Sequence, residues 1–389
     1  MKFKGYKRAD GRIGVRNYLA VIPSVFCANH VARKIAENVK DAVCLTHQVG
    51  CSQVGEDLEQ TARTLVNIAT HPNIGGVLIV GLGCERFSAQ EFYEKVKETK
   101  KPVQKVLIQD EGDSLNAISK GTTLLLDLYN QIINSEKEEF DIAELIVGIE
   151  CGGSDAFSGI AANPSVGAFS DKLISQGGTV IFSEVTELLG AENILKKRCF
   201  NEEVEKLLLE TIKKTETSLK KATADLSYQN RTDLISKGNY DGGISTVAEK
   251  ALGNIEKAGK SPINGVLKFA EKVNKKGLFL MDTPGHDAES TTGLVAGPAQ
   301  IVLFTTGRGT PTGFPVVPVV KITGNSDTYN RMRSNIDINT GEVIEGKRTI
   351  IEMGEEIFNF VLKTASGEQT KAEIFGNDEL FSVARVLYS

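Results

Sequence analysis

The stretch Gly76-Val77-Leu78-Ile79-Val80-Gly81-Leu82-Gly83-Cys84-Glu85-Arg86 decides the fold, because a short apolar run ends abruptly in glycines and a cysteine. Such a run predicts a strand that is buried on both faces, as in a parallel sheet covered by helices. The same arrangement recurs three times along the first half of the chain. The other strand ends run into Cys27, into His47-Gln48-Val49-Gly50-Cys51, and into Glu150-Cys151-Gly152-Gly153-Ser154-Asp155.

Strands and helices alternate around this stretch. We expect strands at Tyr18–Phe26, Ala42–Thr46, Gly76–Val80, Val103–Ile108, Leu145–Ile149 and Thr179–Phe182, with helices between them. Such alternation is typical of an α/β fold. We therefore predict two Rossmann-like, doubly wound units with mostly parallel sheets and the active site at the carboxyl edges of the strands. We expect the first domain to span residues 1–235. Residues 236–389 should form a second domain that carries loops for binding the substrate anion. The polar stretch Ser227–Gly243 is predicted to be a linker or a substrate loop between the two domains.

Composition excludes several classes of protein. The 389 residues include 45 basic and 50 acidic side chains, and their net charge of −5 is spread along the chain. No basic stripe predicts nucleic-acid binding, and the acidic balance argues against an anionic membrane partner. The N-terminus is too polar for a signal peptide and no long apolar run follows, so we expect a cytoplasmic protein.

Six cysteines in a reducing compartment are not expected to form disulfides. Parallel strands end at one edge of a sheet, so Cys51, Cys84 and Cys151 could meet there as metal ligands, with Cys27 as a fourth. Thiolates select iron–sulfur clusters, iron or zinc, and the absence of a C-x-x-C pair favours iron. The alternative is that each is a buried structural cysteine in a tight turn. We assign Cys44 and Cys199 to packing.

Two residues are candidates for general acid/base chemistry. His47 follows a strand in the same predicted crevice, and the pKa of histidine lies near neutrality. Its alternative role is that of a hydrogen-bonded turn histidine. Lys321, at the end of a later strand, would serve if burial depressed its pKa, and a surface ion pair is its alternative role. Arg308, in the loop Thr306-Gly307-Arg308-Gly309, suits a substrate carboxylate, and its alternative role is likewise a surface ion pair.

Motifs along nearly the whole chain resemble the altronate/galactarate dehydratase family. They include Gly5-Tyr6-x-Arg8-x-Asp10-Gly11-Arg12-x-Gly14-x-Arg16-Asn17, Thr46-His47-x-x-Gly50-Cys51, Gly81-Leu82-Gly83-Cys84-Glu85, Cys151-Gly152-Gly153-Ser154-Asp155, Met281-Asp282-Thr283-Pro284-Gly285 and Phe304-Thr305-Thr306-Gly307-Arg308-Gly309. The resemblance implies an iron-dependent hydro-lyase, with Fe²⁺ or a 4Fe–4S cluster, that converts sugar-acid-type 2,3-dihydroxycarboxylates into 2-keto-3-deoxy acids. From these motifs we expect substrate to be bound by Arg16, Ser154, Asp155, Asp282, His286 and Arg308.

The same family includes the large subunit of sulfolactate sulfo-lyase, which eliminates sulfite instead of water. Full-length sugar-acid members begin with a small SAF domain, which we expect this chain to lack, so a separate small SAF-domain subunit is an expected partner. We also expect a homo-oligomer. Glu150 stands where the family usually has Gln, and His286 also departs from the family pattern. We therefore do not infer a specific sugar-acid substrate for this chain from the resemblance. A more distant alternative is a non-catalytic binding protein whose cysteines sense redox state.

Overall fold

The computed structural model describes residues 1–222 and 234–386. Its strands are β1 Lys2–Lys7, β2 Ile13–Gly14, β3 Tyr18–Pro23, β4 Ala42–Cys44, β5 Ile74–Gly81, β6 Val103–Leu107, β7 Glu138–Asp141, β8 Ile146–Cys151, β9 Thr179–Phe182, β10 Ile263–Leu267, β11 Gly277–Met281, β12 Ile301–Thr305, β13 Val319–Thr323 and β14 Ile338–Asn339. Its α-helices are α1 Asn29–Glu37, α2 Gly55–Ala69, α3 Ala89–Lys97, α4 Ser114–Ile132, α5 Asn163–Ser175, α6 Glu192–Leu195, α7 Glu202–Ala222, α8 Lys237–Asp241, α9 Val247–Glu256, α10 Asp287–Ala296, α11 Ser326–Arg331, α12 Ile350–Ala365 and α13 Lys371–Phe375. The expected α/β class is confirmed.

Two parallel sheets organise the chain. The smaller has the order β4-β3-β5-β6, with α1 and α4 packed on one face and α2 and α3 on the other. The larger has the order β10-β11-β9-β8-β12-β13-β14, and all of its pairings are parallel. Asp113 caps α4, because its side chain accepts a hydrogen bond from the amide of Asn116 at 2.8 Å.

The division between the sheets differs from the domain boundary expected near residue 235. Strands β8 and β9 precede that position, yet they lie in the middle of the larger sheet and pair with β12 and β11, which follow it. The sheets therefore divide the chain between β6 and β8. The linker or substrate loop expected at Ser227–Gly243 lies partly outside the described residues, and α8 forms its second half.

A third, antiparallel sheet of order β2-β1-β7 was not expected from the sequence. It pairs the start of the chain with the segment that connects the two parallel sheets.

The two parallel sheets present their carboxyl edges at the same end of the molecule. Helix α2 of the smaller unit packs beside α10 of the larger one. The C-terminal ends of both helices contact residues 270–273. The side chain of Asn67, near the end of α2, donates to the carbonyl of Ala270 at 2.8 Å. The amide of Val273 donates to the carbonyl of Gly297, just after α10, at 2.8 Å. The two helices therefore run in the same direction, and the loops before them lie at one end.

The C-terminal segment joins both units. Leu380 donates its amide to the carbonyl of Gly313 at 2.9 Å, and Ser382 donates to Thr292 at 2.9 Å. Farther along, Arg385 forms an ion pair with the buried Asp57 of α2 at 2.8 Å. Within the described parts of the chain, no helix combines the length and the apolar character that a membrane crossing needs.

Candidate active site

A polar cavity of about 380 Å³ opens at the carboxyl edge of the larger sheet. In an open parallel sheet this edge is where ligands bind, because loops from several strands converge there. Its polar and glycine lining consists of Cys151, Gly152, Gly153 and Ser154 after β8, Thr186 and Glu187 after β9, Ser236, Asn239 and Lys250 on and around α8 and α9, and Gly285 and Asp287 after β11.

Cys151, the last residue of β8, lies at the inner wall of this cavity with two carboxylates. Its buried Sγ is 3.5 Å from Oε1 of Glu184 and 3.4 Å from Oε2 of Glu187. Among the described residues, these three form the one group of potential metal-ligand atoms that all lie within 4.8 Å of one another. A thiol and two carboxylates are donors that could hold a metal ion.

Glu184 is placed by an unusual backbone. Its φ of 67° lies in the left-handed region, which residues other than glycine rarely adopt. Its amide donates to the hydroxyl of Thr283 at 2.8 Å, which ties the end of β9 to the end of β11. Such strained positions persist where the surrounding structure holds them, and they cluster at functional sites.

Two lysines balance the carboxylates. Lys257 is fully buried and its amino group contacts the carboxylate of Glu184, which is also fully buried. Lys250 lies 2.6 Å from Oε1 of Glu187. Burial raises the pKa of Glu184 to about 7, although Lys257 opposes the shift. Burial and the carboxylate of Glu184 raise the pKa of the Cys151 thiol.

Asp287, the first residue of α10, faces the same cavity. Its carboxylate lies so close to Gly152 that a Cβ at that position would overlap it, so only glycine fits there. Burial, together with the nearby Glu187, raises the pKa of Asp287 to about 6. A half-buried carboxyl group with a pKa near neutrality can both accept and return a proton.

The structure brings some of the expected substrate-binding residues to this cavity. Ser154 lines it directly, and its carbonyl accepts a hydrogen bond from Asn239 at 3.0 Å. Arg308 is exposed, and its amide donates to the carbonyl of Gly153, a lining residue, at 2.9 Å. Asp155 is buried, and its carboxylate accepts hydrogen bonds from Ser158 and Asn325.

Other expected residues lie elsewhere. His286 is exposed beside Glu289, and Asp282 is not among the residues that line the cavity. Arg16 forms a buried ion pair with Glu373 at 2.7 Å and donates its remaining groups to backbone carbonyls. The guanidinium of Arg16 is thus engaged within the fold, so its contacts are those of a structural residue.

The two expected acid/base residues have structural contacts as well. The ring of His47 is buried, with Nε2 2.7 Å from the carbonyl of Pro23 and Nδ1 3.3 Å from the amide of Val49. Burial lowers the pKa of His47 to about 4, so the ring is neutral at pH 7. Lys321 is buried and donates to the carbonyls of Pro311 and Thr312, and burial lowers its pKa to about 8.

The cysteines expected to meet at one site fall into two groups. Cys151 lies in the cavity, whereas Cys27, Cys51 and Cys84 are exposed on loops of the smaller sheet. In residues 1–222 and 234–386, no set of three ligand atoms within 4.8 Å joins Cys151 to Cys51 or Cys84. Strand-end position therefore placed these cysteines at the carboxyl edges of parallel sheets, but the expected single site draws on two different sheets.

Comparison with known proteins identifies the chain. A family model described as D-galactarate/Altronate dehydratase, C-terminal, matches residues 142–387. A second one, described as D-galactarate dehydratase/Altronate hydrolase, second domain, matches residues 5–132. This chain belongs to the D-galactarate/altronate dehydratase family. The resemblance expected from its motifs is confirmed.

Several relatives of this dehydratase-family chain are similar over most of its length. Altronate dehydratase of Bacillus subtilis (strain 168) is 39% identical over 381 residues, which are 95% of this chain and 75% of that protein. Galactarate dehydratase (L-threo-forming) of Escherichia coli (strain K12) is 38% identical over 94% of this chain and 73% of its own length. The (2R)-sulfolactate sulfo-lyase subunit beta of Chromohalobacter salexigens is 35% identical over 97% of this chain and 96% of that subunit.

Residues that sequence reasoning missed complete the site of this dehydratase-family chain. Glu184 and Glu187 follow β9, so the strand-end rule that found Cys151 could also have found them. Asp287 directly follows His286, which was expected at the site. Lys250 and Lys257 come from α9 and the turn after it, and their approach to the sheet has no local signal in the sequence.

Proposed function

We propose that this chain is a hydro-lyase that eliminates water from a sugar-acid-type 2,3-dihydroxycarboxylate to give a 2-keto-3-deoxy acid. The observation that carries the proposal is the cavity in which the cation Lys250 and the acid/base candidate Asp287 both face the group Cys151, Glu184 and Glu187. The names of the dehydratase relatives support the reaction class.

Positive charge and hydrogen-bonding groups suit a polyhydroxy acid. Lys250 lies in the wall, and Arg308 lies beside the lining residue Gly153, so both can pair with the substrate carboxylate. Ser154, Ser236 and Asn239 supply hydroxyl and amide groups for the substrate hydroxyls. Such a set holds the C2–H and C3–OH bonds in a fixed orientation, which lowers the entropic cost of reaction.

Asp287 is our assignment for the proton transfer, in place of His47. Its carboxylate takes the proton from the carbon next to the substrate carboxylate, while Lys250 stabilises the negative charge that develops there. The protonated Asp287 then gives this proton to the departing hydroxyl, so that the C–O bond breaks and water leaves. The enol that results ketonises to the 2-keto acid.

Iron remains part of the proposal. Cys151, Glu184 and Glu187 would hold a single ion, because their donor atoms are close enough and combine a thiolate with hard carboxylates. Lys250 and Lys257 pair with these carboxylates, so a bound ion would take the place of their ammonium groups at Glu187 and Glu184. When bound, the ion would supply Lewis acidity toward the substrate oxygens.

A second candidate function is elimination of sulfite from a sulfonated hydroxy acid. The observation that favours it is similarity along nearly the whole chain, since the sulfo-lyase subunit beta is 35% identical over 97% of this chain. In that case a separate small subunit is the partner we propose, because the relative is named as one subunit of its enzyme.

Assays of the anaerobically purified protein with ferrous iron test the proposal. The substrates are altronate, galactarate and sulfolactate, and the products measured are 2-keto acid and sulfite. A 2-keto acid without sulfite from a sugar acid supports the dehydratase, and sulfite release supports the second candidate. If none of the three acids is turned over, with or without a co-expressed small subunit, both proposals are overturned.

A further inference from the structure

A second cavity, of about 390 Å³, adjoins the candidate active site. The side chains that line both cavities are Cys151, Ser154, Glu187 and Lys250, so the two cavities meet there. The other walls of the second cavity come from residues 155–164, which follow β8, and from residues 244–256, which include α9. The proposed reaction uses the first cavity and leaves the second one without a role.

A π-helical turn, Ser158–Ala162, forms one wall of the second cavity. Turns of this kind are rare and are frequently found at functional sites. The opposite wall is α9, which approaches the turn so closely that a Cβ on Gly253 would lie 3.2 Å from the Cα of Gly159. Glycine at both positions allows this approach of the two backbones, and the side chains next to these glycines line the cavity.

Apolar side chains line much of the second cavity, and two of them are exposed to solvent. Ile160 and Leu252, the sequence neighbours of the two glycines, have 58% and 46% of their surface exposed. Ala156, Pro164 and Ile244 add further apolar surface. Covering such surface with an apolar group is favourable in proportion to the area removed from water. The second cavity therefore suits a methyl group better than a hydroxyl group.

The charges in the second cavity oppose an anionic ligand. Glu249 and Glu256 line it, and the carboxylate of Glu249 accepts hydrogen bonds from the amide and the hydroxyl of Ser245, each at 2.8 Å. Among the described residues that line this cavity, Lys250 is the one cation, and it is paired with Glu187 at 2.6 Å. A carboxylate that entered the cavity would therefore be repelled by charges of its own sign.

We propose that the second cavity holds the far end of the substrate and selects sugar acids that end in a methyl group over those that end in a hydroxymethyl or a carboxylate group. This inference rests on the proposed hydro-lyase function and narrows its substrate class. Lys250 lies where the cavities meet, so a carbon chain whose carboxylate pairs with Lys250 can extend into the second cavity. Ser236 and Asn239 in the first cavity remain for the hydroxyl groups near the reacting carbons.

Acids that differ only at the last carbon test this inference. Altronate is compared with its 6-deoxy analogue and with altrarate, and galactonate with its 6-deoxy analogue and with galactarate. The full chain with ferrous iron, with and without a co-expressed small subunit, is assayed for 2-keto acid. The kcat/KM of the methyl-ended acid should exceed that of the hydroxymethyl-ended acid about 10-fold and that of the dicarboxylate about 100-fold, because an apolar wall favours the methyl group and does not solvate a charge.

A pair of leucine substitutions separates the effect of the second cavity from a general effect of added charge. Leu252→Lys supplies a cation for a terminal carboxylate, so it should raise kcat/KM for the dicarboxylate about 10-fold and lower it for the methyl-ended acid about 10-fold. Leu126→Lys is the matched control, because Leu126 lies on α4, outside the lining of both cavities, and is 45% exposed. It should leave the order of the three acids unchanged. Thermal unfolding midpoints confirm that both variants are folded.

The outcomes distinguish this inference from the proposed function. An equal or greater kcat/KM for the carboxylate-ended acids in the wild-type protein overturns the inference and leaves the hydro-lyase function in place. A preference for methyl-ended acids that Leu252→Lys does not change has the same meaning, because the preference would then arise outside the second cavity. If none of the six acids yields a 2-keto acid, the hydro-lyase function is overturned, and the inference falls with it.

Discussion

The amino group of Lys257 contacts the carboxylate of Glu184 where neither side chain has any exposed surface. A buried ion pair of this kind stabilises the folded protein little more than a well-packed apolar pair would. The loss of one partner, however, leaves the other charge buried and without compensation.

Replacing Lys257 with Met should therefore lower the free energy of unfolding by about 3–5 kcal/mol. Urea titration at neutral pH measures this difference. Lys260→Met is the matched control, since Lys260 is exposed three residues farther along the chain, and it should change stability by less than about 0.5 kcal/mol. Equal stability of the two variants would show that Glu184 needs no charged partner.

Replacing Asp287 with Asn should reduce kcat by about two to four orders of magnitude, because the amide cannot accept the substrate proton. The wild-type kcat/KM should rise with pH through an apparent pKa of about 6, as Asp287 becomes ionised. The variant should lack this limb of the profile. Asp282→Asn tests the expectation that Asp282 binds substrate, and from its position away from the cavity lining it should leave the rate unchanged.

His47 should make the protein less stable in acid. Its pKa is about 4 when folded and near 6.5 ordinarily, so the unfolded chain binds a proton first as pH falls. The contribution of neutral His47 to the free energy of unfolding is therefore complete above pH 6.5. It is lost as pH falls from 6.5 to 4, by about 3 kcal/mol in total. In His47→Gln the dependence should shrink by this amount, and the buried His71, whose pKa is also lowered by burial, should maintain part of the remainder. In His286→Gln the full dependence should persist, because His286 is exposed. Urea titrations across this pH range compare the three proteins.

The two arginines expected at the substrate should separate into a structural and a binding residue. Arg16→Met should lower the free energy of unfolding by about 3 kcal/mol, because it breaks the buried pair with Glu373, and should leave KM unchanged. Arg308→Met should raise KM about 10- to 100-fold with little change in stability, since the side chain is exposed beside the cavity. The reverse pattern would return Arg16 to the substrate site.

Local signals in the sequence were enough to predict the parallel strands and the kind of sheet edge at which the candidate cavity opens. Short apolar runs such as Val77–Val80 are typical of strands in a sheet that helices cover on both faces. The position of Cys151 at the end of such a strand predicted that it lies at the carboxyl edge, where the cavity opens. The same rule placed His47 at a strand end correctly. It could not predict that the chain folds back so that both ring nitrogens meet backbone groups of Pro23 and Val49.

Features that depend on distant parts of the chain were missed for a physical reason. The pairing of β1 with β7 joins segments far apart in sequence, and neither strand shows a strong alternation of apolar residues. Lys257 looks like any lysine at the end of an amphipathic helix until the packing of α9 against α5 and the turn after β9 buries it beside Glu184. Burial of a charge is decided by tertiary packing, which single-chain periodicity does not encode.

The C-terminal segment that contacts Gly313, Thr292 and Asp57 crosses from the larger unit to the smaller one and so makes their stabilities interdependent. Heating should consequently melt both sheets in a single calorimetric transition. Removing residues 380–389 should lower the temperature of that transition without dividing it in two, because α2 and α10 and a shared apolar core still join the units.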